Sequence, residues 1–391
     1  MSILLLQGPL GPFFNQFKCA LVQQGYDVHR IILNGGDEWY DDSDASAFTG
    51  SLHDWSHYFT DYIRKHEIKT VFAYGDCRAY HIDAKRVCIH EQVRYFAFEE
   101  GYLRPNYITL EEGGVNGHSP IVHDAIDRYQ PIHSPKDEEV MPPNFARRVK
   151  FAMVYYAFAF FRRLGFFEYQ HHRSLSPFYE GLCWVRGFYR KWVYKLTQPS
   201  AKRICEKGDF FLVPLQVHND AQIEFHSHFD DMHDFITEAL ESYSKSGCTA
   251  RLIFKHHPMD RGYVNYRAFI IKRSKQFNIS DRVSYIHDQH LPTLLKSCLG
   301  VVTINSTTAL QAFYHSAPVI ALGDAFFDMP SLTNQNGLDV FWSNPEKPDM
   351  MFADQFKAFL LDHGQINGSY YCESDMTIKN VIAHLKYLNV I

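Results

Sequence analysis

Apolar positions in the first hundred residues come in short runs separated by stretches of helical period. Residues 3–6 read as a strand, Gly8-Pro9-Leu10-Gly11-Pro12 as a loop, and residues 13–24 as a helix ended by Gly25. Residues 26–33, 70–74 and 94–98 are further strands, closed by Asn34-Gly35-Gly36-Asp37, Gly75-Asp76 and Glu99-Glu100-Gly101, and residues 55–66 have helical period. Strands that alternate with helices imply βαβ units on a parallel sheet. The second half repeats the style, with strands expected at 210–215, 250–255, 283–286, 300–303 and 318–322. The expected fold is α/β, with two Rossmann-like domains at residues 1–145 and 201–391 and a helical basic and aromatic insert at 146–200. One larger α/β domain is the alternative.

The insert changes the picture. Residues 147–195 carry ten Lys or Arg against only Glu168 and Glu180, with aromatics crowded among them. Such helices suit the face of an anionic membrane; packing on the protein's own core is the competing reading. No apolar run reaches the roughly eighteen residues that cross a bilayer, and residues 1–9 lack a basic start typical of a signal peptide. A cytoplasmic protein, soluble or peripheral, is therefore expected. The eight cysteines are scattered without a C-x-x-C pair and read as reduced thiols. A net charge of −5 argues against a nucleic-acid partner. Asp41-Asp42-Ser43-Asp44 and Lys136-Asp137-Glu138-Glu139 read as solvated loops.

Candidate chemistry sits where strands end, which is where open α/β sheets bind ligands. Gln216-Val217-His218-Asn219-Asp220 follows one strand, and Asp220 there suits a nucleophile at an anomeric carbon or a base; capping the next helix is the plainer role. Retention by double displacement needs a second carboxyl group, for which Glu99 and Glu100 are the candidates. His257 precedes Pro258, which holds it extended, and a His there donates to a phosphate oxygen. Lys255, His256 and Arg261 add positive character. Asn305-Ser306-Thr307-Thr308 opens a helix expected at 309–315 and offers N–H and hydroxyl donors to an anion; a simple capped helix is the alternative. Together these segments point to a phosphate-bearing donor and a nucleotide-sugar-dependent transferase of GT-B-like architecture. Gly8-Pro9-Leu10-Gly11-Pro12 does not fit a dinucleotide loop, because its prolines remove backbone donors, and reads as an acceptor-side loop. Asp42-Ser43-Asp44 has the form D-x-D but no strand follows it, so no metal is expected.

Taken together, Leu6-Gln7-Gly8-Pro9-Leu10-Gly11-Pro12-Phe13-Phe14, Asn34-Gly35-Gly36-Asp37, Phe98-Glu99-Glu100-Gly101-Tyr102-Leu103-Arg104-Pro105, Tyr169-Gln170-His171-His172-Arg173, Gln216 to Asp220, Lys255-His256-His257-Pro258 and Asn305-Ser306-Thr307-Thr308 resemble the capsule polysaccharide biosynthesis family KpsS/LipB. The resemblance implies a retaining β-Kdo transferase that uses CMP-Kdo without a metal or other cofactor. It implies a phosphatidylglycerol-type anionic phospholipid acceptor, the start of a poly-Kdo linker, and work with other capsule biosynthesis and export proteins at the inner face of the bacterial inner membrane. By the same resemblance Asp220 is the nucleophile, and Gln216 belongs to its motif. His257 and Pro258 meet the CMP phosphate, and Ser306 and Thr307 lie near that phosphate or the Kdo carboxylate. Lys255, Arg261 and Arg104 are candidate cations for the carboxylate, and Asn305 and Thr308 complete the hydroxyl-rich segment. A sialyl- or glycerophosphotransferase, or a non-catalytic scaffold in capsule assembly, are the competing functions.

Overall fold

The computed structural model describes residues 1–41, 44–130, 138–170 and 177–391. Asp42 and Ser43 of the D-x-D triplet, Lys136-Asp137, and His171-His172-Arg173 lie outside the described residues. The chain forms two compact units: Met1–Pro120 with Pro131–Pro177 and Leu360–Ile391, and Ile121–Gln130 with Phe178–Phe359. In chain order the strands are β1 Ser2–Leu5, β2 Asp27–Ile32, β3 Ser46–Ala47, β4 Ile68–Tyr74, β5 Arg94–Glu100, β6 Tyr107–Glu112, β7 Phe210–Pro214, β8 Arg251–Lys255, β9 Val283–Ile286, β10 Gly300–Thr303, β11 Val319–Ala321 and β12 Gln365–Asn367.

The first unit's sheet runs β12-β6-β5-β4-β1-β2-β3. From β3 to β5 all pairs are parallel, whereas β6 and β12 add antiparallel edges. Its central strands are apolar on both faces because helices cover both sides. The two-residue period sorts their side chains: Ile3, Leu5, Phe72, Phe96 and Phe98 join Phe13 and Phe17 on one face, while Leu4, Leu6, Val71, Ala73 and Ala97 join Trp55 and Phe59 on the other. The second unit's sheet runs β11-β10-β7-β8-β9, wholly parallel, around a core that includes Phe211, Val213, Phe254, Tyr243 and Trp342. Both sheets thus share the Rossmann order, with direction reversing between β1 and β4 in one and between β7 and β10 in the other. Beyond the strand ends at such reversals, α/β proteins place their ligands.

The division differs from the expected boundaries in three places, the first being that Ile121–Gln130 belongs to the second unit. Residues 360–391 join the first unit, because β12 pairs with β6 and Val381 and Leu385 of helix Ser374–Tyr387 pack with Phe13, Phe17 and Leu21. The expected insert is not one body: helix Phe145–Phe161 lies in the first unit, and helix Pro177–Thr197, apart from its first residue, in the second. Among the described residues no helix is long and apolar enough to cross a membrane.

Candidate functional site

In the second unit the chain leaves β7 through Leu215 and Gln216 and leaves β10 through Ile304 and Asn305. The two amides meet at the reversal point. Gln216 is buried, and its Nε2 donates to Asn305 Oδ1 at 3.0 Å and to Asp220 Oδ2 at 3.1 Å. Asn305 Nδ2 donates to the carbonyls of Gln222 and His226, so this side chain is tied into the scaffold. Asp220 is the N-cap of helix Ala221–Phe225, its Oδ1 accepting from Gln222 N at 3.1 Å. The capping role is therefore present, and together with Gln216 it fixes the carboxylate at the sheet's C-terminal edge.

The His-Pro segment begins where β8 ends. His257 caps the turn Pro258–Asp260, its Nδ1 accepting from Met259 N. Behind it, His256 Nδ1 lies 2.7 Å from Tyr285 Oη, and His287 Nδ1 accepts from Gln198 Nε2 at 2.8 Å. Burial pulls His256 down to about 4 and His287 down to about 3, so both imidazoles are neutral at pH 7. The Tyr194 ring stacks on His287 with centroids 3.7 Å apart. Lys255 Nζ donates to His287 O at 3.1 Å, and burial lowers its ammonium to about 8. Arg261 is a two-pronged partner of Asp288, so its charge is already matched. Asp260 is fully buried and accepts from both His218 N and His218 Nδ1, which links the Gln216–Asp220 loop to the His-Pro turn.

Helix Pro177–Thr197 holds this turn from behind. Arg186 donates to the carbonyls of Gly262 and Tyr263, and Arg190 donates to Arg261 O. A Cβ on Gly262 would stand 2.0 Å from Cys183 O, so only glycine allows the approach. Gly262→Ala is expected to destabilise the fold by about 1–3 kcal/mol through overpacking, readable as a lower melting temperature in a thermal denaturation curve. At the end of β10, Ser306 Oγ accepts from Thr308 N and donates to Thr308 Oγ1. The helix that follows is Thr308–Tyr314, one residue earlier at both ends than expected.

The first unit repeats the arrangement in other residues. Gln7 leaves β1 buried; its Nε2 faces Asp37 Oδ2 (3.0 Å), Tyr155 Oη (2.9 Å) and Tyr169 Oη (3.2 Å), while Oε1 accepts from Arg78 at 2.7 Å. Burial raises Asp37, which also accepts from Leu33 N and Tyr155 Oη. Asn34 caps helix Gly35–Trp39 by accepting from Gly36 N and Asp37 N. Asn34-Gly35-Gly36-Asp37 is thus a helix start rather than a plain loop. Its glycines let helix Phe145–Phe161 approach, since a Cβ on Gly36 would stand 2.7 Å from Tyr155 O.

At the end of β5 the paired glutamates separate. Glu100 Oε1 lies 3.1 Å from the Arg148 guanidinium and accepts from Tyr371 Oη (3.3 Å) and Tyr74 Oη (3.4 Å). Among the described residues Glu99 Oε1 accepts only the Glu100 N–H, at 2.8 Å. Burial, reinforced by the neighbouring Glu100, raises Glu99 to about 7. Arg104 is exposed, and its Nε donates to Gly101 O. Sequence reasoning gave no individual role to Gln7, Arg78, Arg148, His218, Asp260 or His287. Several stand inside the quoted segments, but their partners lie 30 to 162 residues away, and no local pattern marks such pairs.

Two Rossmann-like units, each with polar side chains gathered where its strand order reverses, place the chain in the GT-B class of α/β folds. Residues 69–371 match the family described as "Capsule polysaccharide biosynthesis protein". The chain is 40% identical over 375 residues to the "Capsule polysaccharide export protein KpsS" of Escherichia coli, which covers 94% of this chain and 96% of that one. It is 35% identical over 392 residues to the "Capsule polysaccharide modification protein LipB" of Neisseria meningitidis serogroup A, covering 97% and 94%. A solved structure of Thermosulfurimonas dismutans KpsC, a beta Kdo 2,7 transferase, aligns over 98% of this chain and 99% of its own. That match has a TM-score of 0.47 and 14% identity. The chain belongs to the capsule polysaccharide biosynthesis family of KpsS and LipB.

Proposed function

We propose that the protein is a retaining β-Kdo glycosyltransferase that moves Kdo from CMP-Kdo to a phosphatidylglycerol-type lipid and so starts a poly-Kdo linker. The observation that carries this is the Asp220 carboxylate, held by Gln216 and a helix cap at the second sheet's reversal point. In the first step an Asp220 oxygen attacks the anomeric carbon of Kdo. The bond from that carbon to the phosphate oxygen breaks, and CMP leaves with the electron pair. In the second step a lipid hydroxyl oxygen attacks the same carbon, the Asp220 ester bond breaks, and Glu99 takes the hydroxyl proton. Two inversions give retention.

A departing nucleoside monophosphate is already a good leaving group, so this chemistry asks for no metal. Pro258 keeps His257 extended towards the phosphate, and Ser306 and Thr307 add hydroxyl donors. Lys255 is the favoured cation for the Kdo carboxylate, because Arg261 is matched by Asp288. Mass spectrometry of phosphatidylglycerol incubated with the protein and fresh CMP-Kdo tests the reading. A gain of one Kdo is expected; intact lipid and donor would favour another donor, another acceptor or a scaffold.

The same reading places the protein on the inner membrane face, among other capsule biosynthesis and export proteins. On helix Pro177–Thr197, Leu182, Val185, Tyr189, Trp192 and Leu196 recur at helical spacing and all are exposed, Trp192 by 64%. Exposed Lys191 and Lys195 flank them. An apolar stripe with a basic edge suits an anionic bilayer. Trp192→Glu combined with Val185→Glu is expected to cut binding to phosphatidylglycerol vesicles about tenfold in a flotation assay; undiminished flotation would remove this face from the account.

A further inference from the structure

The first unit contains a cavity of about 440 Å³ beside helix Phe145–Phe161, none of whose lining residues has a role assigned above in the chemistry. Its lining includes Gln16, Arg147, Lys150, Phe151, Tyr370 and Tyr371, and no carboxylate. Arg147 Nη1 donates to Tyr371 O at 3.0 Å, which orients the guanidinium and leaves its other N–H groups without a protein acceptor among the described residues. Lys150 is exposed and has no hydrogen bond or ion pair among the described residues. Gln16 Oε1 is buried and unpartnered.

These groups ask for a particular ligand. Two cations without a carboxylate suit a phosphate, which Arg takes two-pronged and Lys as a point charge. An unsatisfied amide oxygen asks for a donor, which a hydroxyl supplies after a small side-chain turn. The aromatic walls suit the carbon skeleton between them, and the volume lies in the range of small-ligand sites. On the same helix Phe145 and Met153 are exposed. The wall residue Tyr371 also donates to Glu100 Oε1, so an occupant would lie one side chain from the paired glutamates.

We propose that this cavity binds a glycerol-phosphate group, as carried by an anionic phospholipid headgroup or by a free phosphate ester. The proposal rests on the acceptor reading above and gives that acceptor a seat. Isothermal titration of the full chain with dihexanoylphosphatidylglycerol and with sn-glycerol 3-phosphate tests it, using wild type, Arg147→Ala/Lys150→Ala and Arg147→Lys/Lys150→Arg. The alanine pair is expected to weaken binding about tenfold or more with an unchanged melting curve, and the conservative pair to recover most of it. Tighter binding of the short-chain lipid than of the ester assigns the site to lipid; equal binding assigns it to the soluble ester. No binding of either, or binding indifferent to the alanine pair, overturns the proposal. Lipid binding without Kdo transfer would leave the cavity standing and sink the transferase reading. Kdo transfer with binding indifferent to the alanine pair would do the reverse.

Discussion

Asp220→Asn is expected to reduce Kdo transfer by roughly a thousandfold or more, as removal of a covalent nucleophile does elsewhere, while leaving the fold intact. The side chain caps a helix and, on the proposed reading, is also the nucleophile; asparagine separates the two roles. It caps helices as well as aspartate does, and its oxygen still accepts from Gln222 N or Gln216 Nε2. What it lacks is an anionic oxygen able to form and release an ester. Alanine would lose the cap as well, at about 1 kcal/mol, which blurs the cause. The comparison is made with initial rates of CMP release beside thermal melts. An Asn variant that keeps most of its rate would reduce Asp220 to a cap.

Glu99→Gln is expected to change activity and stability in opposite directions. On the proposed reading Glu99 accepts the hydroxyl proton, a role worth roughly a hundredfold to ten-thousandfold in rate. It works when deprotonated, so transfer by the wild type should fall as pH drops below about 7. The stability sign follows from the same shift. Below pH 4.5, the ordinary value, folded and unfolded chains both hold the proton. Between 4.5 and about 7 the folded chain keeps a proton that the unfolded chain has lost, so stability declines as pH rises. Above about 7 the charged carboxylate is buried at a cost of up to about 3 kcal/mol. Glutamine removes that cost, so the variant should melt higher than wild type at pH 8 and about equally at pH 4. Glu100→Gln should instead melt lower at pH 8, because it gives up the Arg148 ion pair. A Glu99 variant that melts lower at pH 8 and keeps its rate would mark the residue as structural.

Much of this was legible in the chain, and the failures share a cause. Strands β1, β2, β4, β5 and β7 to β11 follow from apolar runs closed by turns, because buried parallel strands write their burial into consecutive residues. Strands β3 and β12 have two and three residues and, unlike the equally short β11, stand in no apolar run. Strand β6, Tyr107–Glu112, ends in two glutamates, of which Glu111 is buried. It reads as neither a clean alternation nor an apolar run. Assigning residues 360–391 to the first unit needed a pairing across about 250 positions, Gln365 with Thr109. Of the residues singled out at the strand ends, Gln216, Asp220 and Asn305 do meet, through the Gln216 amide. The partners that spend a charge, Asp288 on Arg261 and Arg148 on Glu100, are invisible until the fold brings them together.

The most direct test of the account is peptide mass mapping of the Glu99→Gln variant after incubation with CMP-Kdo and no lipid. With the proton acceptor gone, the second step is slow and the ester should accumulate. The account predicts a mass gain of one Kdo on the peptide carrying Asp220, absent when Asp220 is also changed to Asn. An unmodified Asp220 in a protein whose wild type transfers Kdo to lipid would contradict it.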